Sequence, residues 1–436
     1  MLEKGPRAPA HPAEARAGIA GGHASSGGDP EEASNDGAPR EPAGAAFATT
    51  EDEAPVIQLV QSVIGQAVAR RASDIHLEPF ARRFRVRYRI DGVLQPAEDL
   101  PWHLQRPVVS RLKIMGNMNI AEKRLPQDGR ARFTAGGRTV DLRISSLPGV
   151  HGESVVLRLL EPDKIRLGLD ELGLDRAEQR QLARLLALPD GVVLVTGPTG
   201  SGKTTTLYAC LNHLNQPDRK IITVEDPVEY QLSGINQVPV RADVGMTFAA
   251  ALRAMLRQAP NVIMVGEIRD RETAEIAINA ALTGHLVFST LHTNDATGAV
   301  TRLFDLGVKP FLVASALRAV VAQRLVRRMC PRCVRARAAS GPGPADPAAA
   351  TPVAVGAAAC PECGGTGYAG RLGIFEFFSV DAALQQLIHE RAGGTALRGR
   401  ARAQGMATLR EDGLRKARAG LTTVDEVLAA TVADAN

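Results

Sequence analysis

The sequence predicts an α/β protein with two folded domains, and three observations carry that reading. The first is Gly197-Pro-Thr-Gly-Ser-Gly202-Lys203-Thr204, a phosphate-loop pattern set between an apolar stretch and a helical one. The second is a series of short, continuous apolar runs at Gly191–Thr196, 221–224, Val262–Val265 and 286–289, alternating with helical segments. Strands of that kind are buried on both faces, which predicts a largely parallel sheet covered by helices on both sides. The third is a different period upstream. In 84–90, Phe84, Val86, Tyr88 and Ile90 alternate with Arg85, Arg87 and Arg89, the pattern of a half-buried strand.

Taken in order, residues 1–53 hold ten acidic and four basic groups, and beyond Met1 their only larger apolar side chains are Leu2, Ile19 and Phe47. Such a segment cannot bury enough surface to offset its ordering entropy, so a disordered acidic tail is expected. From Ala54, Val56, Ile57, Val60, Val63, Ile64 and Val68 recur at helical spacing, predicting a helix that ends near Ala72. The alternating strand at 84–90 follows, with Asp91-Gly92 as its hairpin turn. Further alternation at Val140, Leu142 and Ile144, and across 154–160, completes a small antiparallel domain at 54–162.

The second domain is expected over 163–436. Asp175 and Glu178 make a capping-box start for a helix that carries Leu182, Leu185 and Leu186 on one face. The helix over 204–214 follows the phosphate loop, and the one over 271–283 is closed by Gly284. Pro310 predicts the start of a helix over 310–328. Residues 336–359 are rich in Ala, Pro and Gly and are expected to form a loop. A helical C-terminal region is expected over 376–436.

Composition excludes several classes. Hydrophobic residues make up 44% of the 436, enough for a sizeable core, so a wholly disordered chain is ruled out. No apolar run approaches the ~18 residues of a membrane span, and the first residues lack the apolar centre of a secretory signal. The formal charge of +5 divides into −6 for residues 1–53 and +11 for the rest. Five cysteines are too few for a disulfide scaffold, and four of them fall in CxxC pairs, which points to a reducing compartment and a metal.

The phosphate loop has a definite chemistry. Glycines let successive backbone N–H groups point at phosphate oxygens, and the helix N-terminus adds positive potential. Gly197, Pro198, Thr199, Gly200, Ser201, Gly202, Lys203, Thr204 and Thr205 are the candidate cradle. Lys203 is expected to reach the β- and γ-phosphates of a nucleoside triphosphate, and the Thr204 hydroxyl to ligate Mg²⁺. Glu267, at the tip of the 262–265 strand, is placed to orient the attacking water, to contact Mg²⁺ through water, or both. Glu225, Asp226 and Glu229 supply carboxylates at the end of a neighbouring strand. His285 and His292 bracket a further strand. Cys330-Pro-Arg-Cys333 and Cys360-Pro-Glu-Cys363 form two knuckles whose four thiolates suit a closed, structural Zn²⁺ site. Cys210 reads as a small buried hydrophobe.

Together these stretches resemble the assembly ATPases of type II secretion systems, within the wider class of secretion and type IV pilus motors. The carriers are ASDIHLEP at 72–79, RIDGVLQ at 89–95, EKRLPQDGR at 122–130, LPGVHGESVVLRLL at 147–160 and GPTGSGKTTTLY at 197–208. To these are added ITVEDPVEY at 222–230, FAAALRAMLRQAPNVIMVGEIRD at 248–270 and LTGHLVFSTLHTNDATGAVTRL at 282–303. The resemblance implies a RecA-like P-loop motor domain preceded by a smaller PAS-like domain, with a four-cysteine zinc module at 330–363. It implies a homo-hexamer with ATP between subunits, on the cytoplasmic face of the inner membrane beside secretion platform proteins. It makes Glu225, Asp226 and Glu229 an aspartate box, Glu267 the catalytic glutamate, and His285 and His292 a histidine box. Arg143, Arg158, Arg253, Arg257, Arg269 and Arg371 are assigned to nucleotide or subunit contacts. Longer members of the family carry a further N-terminal domain that docks to the membrane partner, and here the acidic tail stands in that place.

Two other readings fit less well. Type IV pilus assembly is close in kind, but the wording of 147–160 and 282–303 is nearer the secretion branch. A nucleic-acid motor would use the +11 folded region and the arginine strand at 85–89. Aromatics are only 4% and no basic stretch is interleaved with stacking residues, so no nucleic acid is expected.

Overall fold

The computed structural model describes residues 54–135, 137–160, 168–339 and 360–431. The expectations for residues 1–53 and for most of the 336–359 loop lie outside the described residues. Among the described residues no helix is long and apolar enough to cross a membrane.

The first part begins with α1 (Ala54–Ala69), β1 (Asp74–Phe80), β2 (Arg83–Ile90) and β3 (Val93–Pro96). It continues through α2 (Gln105–Met115), β4 (Gln127–Ala135), β5 (Arg138–Gly149) and β6 (Gly152–Leu160). The six strands form an antiparallel sheet in the order β3-β2-β1-β6-β5-β4. Alternation determines which face is covered. Phe84, Val86, Tyr88, Leu142, Ile144 and Leu157 are buried in one core with Ile64 and Ala67 of α1 and Leu112 of α2. The opposite face of β2 carries the arginines. Arg85 and Arg87 both pair with Glu78 across the strand, at 3.0 and 2.7 Å. The single Glu78 carboxylate offsets one of these two guanidinium charges.

The second part opens with α3 (Arg176–Leu186), capped as its sequence predicts by reciprocal bonds between Asp175 and Glu178. Then come β7 (Gly191–Thr196), α4 (Lys203–Leu214), β8 (Ile221–Glu225), β9 (Asn236–Pro239) and α5 (Phe248–Met255). β10 (Val262–Val265), α6 (Arg271–Leu282), β11 (Leu286–Leu291), α7 (Ala296–Asp305) and α8 (Pro310–Ala316) follow. The last elements are β12 (Leu317–Met329), α9 (Pro331–Ala339), β13 (Tyr368–Ser379), α10 (Ala382–His389), α11 (Gly394–Ala403), α12 (Leu409–Arg418) and α13 (Val424–Ala430). The sheet order is β13-β12-β7-β11-β10-β8-β9, parallel except for the β12–β13 pair. One face packs against α3 and α4 through Leu182, Leu186, Leu207 and Leu211. The other packs against α5 to α8 through Leu252, Ala277, Val300 and Val313.

Three expectations need correction. The helix predicted over 310–328 stops at Ala316, and Leu317–Met329 is a strand. Val320, Val321 and Ala322 are buried on both sides of the sheet beside β7, so apolar periodicity carries no signal there and tertiary pairing decides. The helical C-terminal region begins at Ala382, because residues 376–379 complete β13. In the presumed loop after Ala336, α9 continues to Ala339.

Candidate functional site

The phosphate loop leaves the carboxyl end of β7 and turns directly into α4. Gly197 has φ +151°, and a Cβ there would lie 2.5 Å from the Gln323 carbonyl oxygen and 2.6 Å from Ser201 Oγ. Only glycine fits between loop and β12. At the other end Thr206 Oγ1 donates to Gln323 Oε1 at 2.8 Å, pinning α4 to β12. Lys203 is buried, and its Nζ donates to the carbonyls of Gly197 and Pro198 at 2.8 and 3.1 Å. Burial pushes the ammonium pKa down, the charge of Glu267 opposes this, and the charge of Arg324 adds to it. Ser201 Oγ is buried with no hydrogen-bond partner. An orphaned hydroxyl and a lysine capped only by carbonyls fit an anionic phosphate group. Thr204 stands exposed on the first turn of α4, as a metal-ligating hydroxyl requires. Gly202 and Thr205 open onto a cavity of about 600 Å³, whose far wall includes Arg70, Asp91 and Arg371.

Glu267 follows β10, two strands from β7, at the same edge of the sheet. Arg269 Nη2 donates to its carboxylate at 2.6 Å, and His292 Nε2 lies 3.5 Å from the other oxygen. Burial pushes the Glu267 pKa up, but the Arg269 hydrogen bond and charge, helped by His292, outweigh it and hold the carboxyl below its ordinary value. An ionised acceptor at this edge can orient water.

The three carboxylates at and just beyond the end of β8 part company. Glu225 is buried and accepts from Tyr208 Oη, from Thr223 Oγ1 at 2.6 Å and from Gln237 Nε2 at 3.0 Å. Burial, together with the charge of Glu225, raises the Tyr208 phenol pKa. Its carboxylate is thus engaged within the core, not turned to the loop. Asp226 is exposed, 3.7 Å from Arg269. Glu229 ion-pairs with Arg143 of β5 at 2.9 Å, and Arg143 also donates to the Val228 carbonyl at 3.3 Å. Arg158, opposite Arg143 in the β5–β6 register, pairs instead with Asp74 at 3.2 Å.

The two histidines are not brought together. His292 directly follows β11 beside Glu267, whereas His285 precedes the same strand, at the far edge of the sheet. There His285 Nδ1 lies 2.9 Å from the Ala280 carbonyl. Arg253 pairs with Glu272, Arg257 donates to the Arg253 carbonyl at 3.1 Å, and Arg371 stays in the cavity wall. Gln323 and Arg324, which flank the loop, are absent from the sequence-derived site because their segment reads as helix.

The four cysteines converge between the ends of β12 and β13. A tetrahedral zinc with bonds of roughly 2.3 Å holds its sulfurs about 3.8 Å apart. Cys330 and Cys360 Sγ are 3.9 Å apart, Cys333 and Cys363 Sγ are 3.6 Å apart, and all four lie within 4.8 Å of one another. A disulfide needs about 2.05 Å. The four thiols are free and their spacing fits the metal.

A phosphate loop at the carboxyl edge of a parallel sheet, faced by an ionised glutamate from a nearby strand, makes this a P-loop nucleotide-binding protein. The chain belongs to the type II/IV secretion system protein family, whose model matches residues 49–429. It is 51% identical to type II secretion system protein E of Pseudomonas aeruginosa over 385 residues, covering 87% of this chain and 76% of that protein. It is 50% identical to type II secretion system ATPase E of Vibrio cholerae, covering 88% and 76%. Among solved structures, the pilus retraction motor PilT with bound ADP is similar at 28% identity and a TM-score of 0.58, covering 86% of this chain and 97% of that one. The Legionella pneumophila ATPase DotB shares the fold, with a TM-score of 0.61 at 20% identity, covering 85% and 94%.

Proposed function

We propose that this protein is the ATPase of a type II secretion system, hydrolysing ATP to drive pseudopilus assembly and protein export. The carrying observation is that Lys203 and the ionised Glu267 sit at one edge of one sheet, close enough for the Glu267 charge to act on the Lys203 ammonium. The loop amides, Ser201 and Lys203 hold the triphosphate, and Lys203 exchanges its carbonyl partners for phosphate oxygens. Glu267, kept anionic by Arg269, orients the water that attacks the terminal phosphorus and accepts its proton. Mg²⁺ would be held through Thr204 and would neutralise charge on the phosphates.

In this reading residues 163–436 are a RecA-like motor and 54–162 a PAS-like domain that delivers Arg143 toward the loop after β8. The chain works as a homo-hexamer in the cytoplasm, against the inner-membrane platform. Leu147 and Val150, 59% and 98% exposed at the β5–β6 turn, support a role for that edge in subunit contact. Zinc at the four cysteines is structural. The test is paired: ATP turnover of the purified chain, and restored secretion by wild type but not Glu267→Gln in a strain lacking the native gene. Turnover of wild type equal to that of Glu267→Gln would overturn the reading.

A further inference from the structure

One cation beside the phosphate loop is not used by this chemistry. Strand β12 runs parallel to β7 and pairs Ala322 with Thr196, so Gln323 and Arg324 continue alongside the loop itself. A Cβ on Gly197 would lie 3.2 Å from Arg324 Nη1, which places the guanidinium against the loop's first residue. Arg324 donates to the Asn294 carbonyl at 2.9 Å, with weaker contacts to the Gln323 carbonyl at 3.4 Å and Asn294 Oδ1 at 3.5 Å. All three acceptors are neutral. Among the described residues neither Arg324 nor Lys203 is in an ion pair. Burial lowers the Arg324 pKa, opposed by the charges of Asp295 and Glu376, and the Arg324 charge in turn lowers that of Lys203.

A buried Lys203 and a half-buried Arg324 both lie against one short loop with no carboxylate at ion-pair distance, an arrangement that a bound anion relieves. The loop's two ends show which part of the anion that is. Gly202 and Thr205, at the helix end, open onto the 600 Å³ cavity, which has room for a nucleoside. The terminal phosphate then lies toward the strand end, at Gly197. There Arg324 and the 292–294 segment meet, with His292 3.5 Å from Glu267.

We propose that Arg324 is a phosphate-contacting residue, a guanidinium from the chain's own β12 that binds the terminal phosphoryl group of the triphosphate. This rests on reading the loop as a triphosphate site. A planar fork suits two phosphate oxygens, and ADP offers no terminal group for it to hold. Arg324 therefore discriminates ATP from ADP, which a residue that merely walls the loop does not.

The experiment is equilibrium binding of a slowly hydrolysed fluorescent ATP analogue and of the matching ADP analogue, with Mg²⁺, to the full chain. Arg324→Gln is expected to lose about tenfold in affinity for the triphosphate and to hold ADP within about twofold of wild type. Equal weakening toward both nucleotides, or no change toward either, overturns the proposal. Arg324→Lys keeps the charge but not the fork, and its preference for the triphosphate should fall roughly threefold. An unchanged preference there overturns the proposal even where Arg324→Gln does not fold. A wild-type chain that binds neither nucleotide refutes the triphosphate site itself, an outcome separate from failure at Arg324 alone.

Discussion

Arg143 of β5 reaches out of the N-terminal sheet to ion-pair with Glu229, in the loop that leaves β8, at 2.9 Å. Both side chains are partly exposed, so the pair is worth about 1 kcal/mol of stability at most. Its value lies in connecting the two sheets at the phosphate-loop edge. Arg143→Ala should leave the melting temperature within about 3 °C of wild type, yet lower turnover tenfold or more with little loss of ATP affinity. Steady-state hydrolysis and thermal unfolding check this. Because the contact is made within one chain, mixing Lys203→Ala with Arg143→Ala subunits in the proposed rings should give no more turnover than the two variants give separately. Recovered activity in such rings would show that Arg143 serves a neighbour.

Lys203 and Glu267 separate binding from chemistry. On the proposed reading, Lys203→Ala removes the ammonium assigned to the phosphates and should abolish measurable ATP binding at micromolar nucleotide. Glu267→Gln keeps the size of the side chain but not its anionic acceptor. It should bind ATP as wild type does and turn over at least about 100-fold more slowly. Single-turnover hydrolysis beside equilibrium binding distinguishes the two.

The pH dependence of turnover follows from Arg269. The lowered pKa means that Glu267 is ionised throughout the neutral range and loses its charge only when pH falls below the ordinary carboxylate range. Arg269→Ala removes the main opponent of burial, so the Glu267 pKa rises. The acid limb of the turnover profile should therefore move to higher pH, with the loss greatest near pH 5 and least near pH 8. A profile of unchanged shape would mean that Glu267 is not the group that titrates.

The sequence made the phosphate loop, both knuckles and the parallel strands Gly191–Thr196 and Val262–Val265 legible, because each rests on local chemistry or on an unbroken apolar run. β12 was illegible for a physical reason. A strand buried on both faces has no period of two, and Pro310 correctly signals a helix that ends after seven residues. Losing β12 to a helix hid Gln323 and Arg324. The β-branched pair Val320-Val321, with Val326 beyond, is the signal that argues for a strand. Nor can adjacency in sequence show direction. Glu225, Asp226 and Glu229 fall within five residues yet face a buried tyrosine, Arg269 and Arg143 respectively. His285 and His292 are separated by the length of β11.

The four cysteines stand where a bound zinc would tie two strands together. Cys330 directly follows β12, and Cys360 and Cys363 precede β13, so the metal would clamp one end of an antiparallel pair. The rest of β12 is held independently, by its ladder to β7 and by the hydrogen bond from Thr206 of α4 to Gln323. Removing zinc should therefore loosen the knuckles and leave the phosphate loop in place. Freshly purified protein should contain about one zinc per chain, and less than about half an equivalent would count heavily against the site. After chelation, hydrogen exchange should accelerate across 330–339 and 360–368 while the amides of 191–206 keep their protection. ATP affinity should change by less than about threefold. Loss of protection at the phosphate loop on chelation would show instead that zinc supports the nucleotide site through β12. Cys330→Ser with Cys360→Ser should reproduce the chelated state in the absence of any chelator.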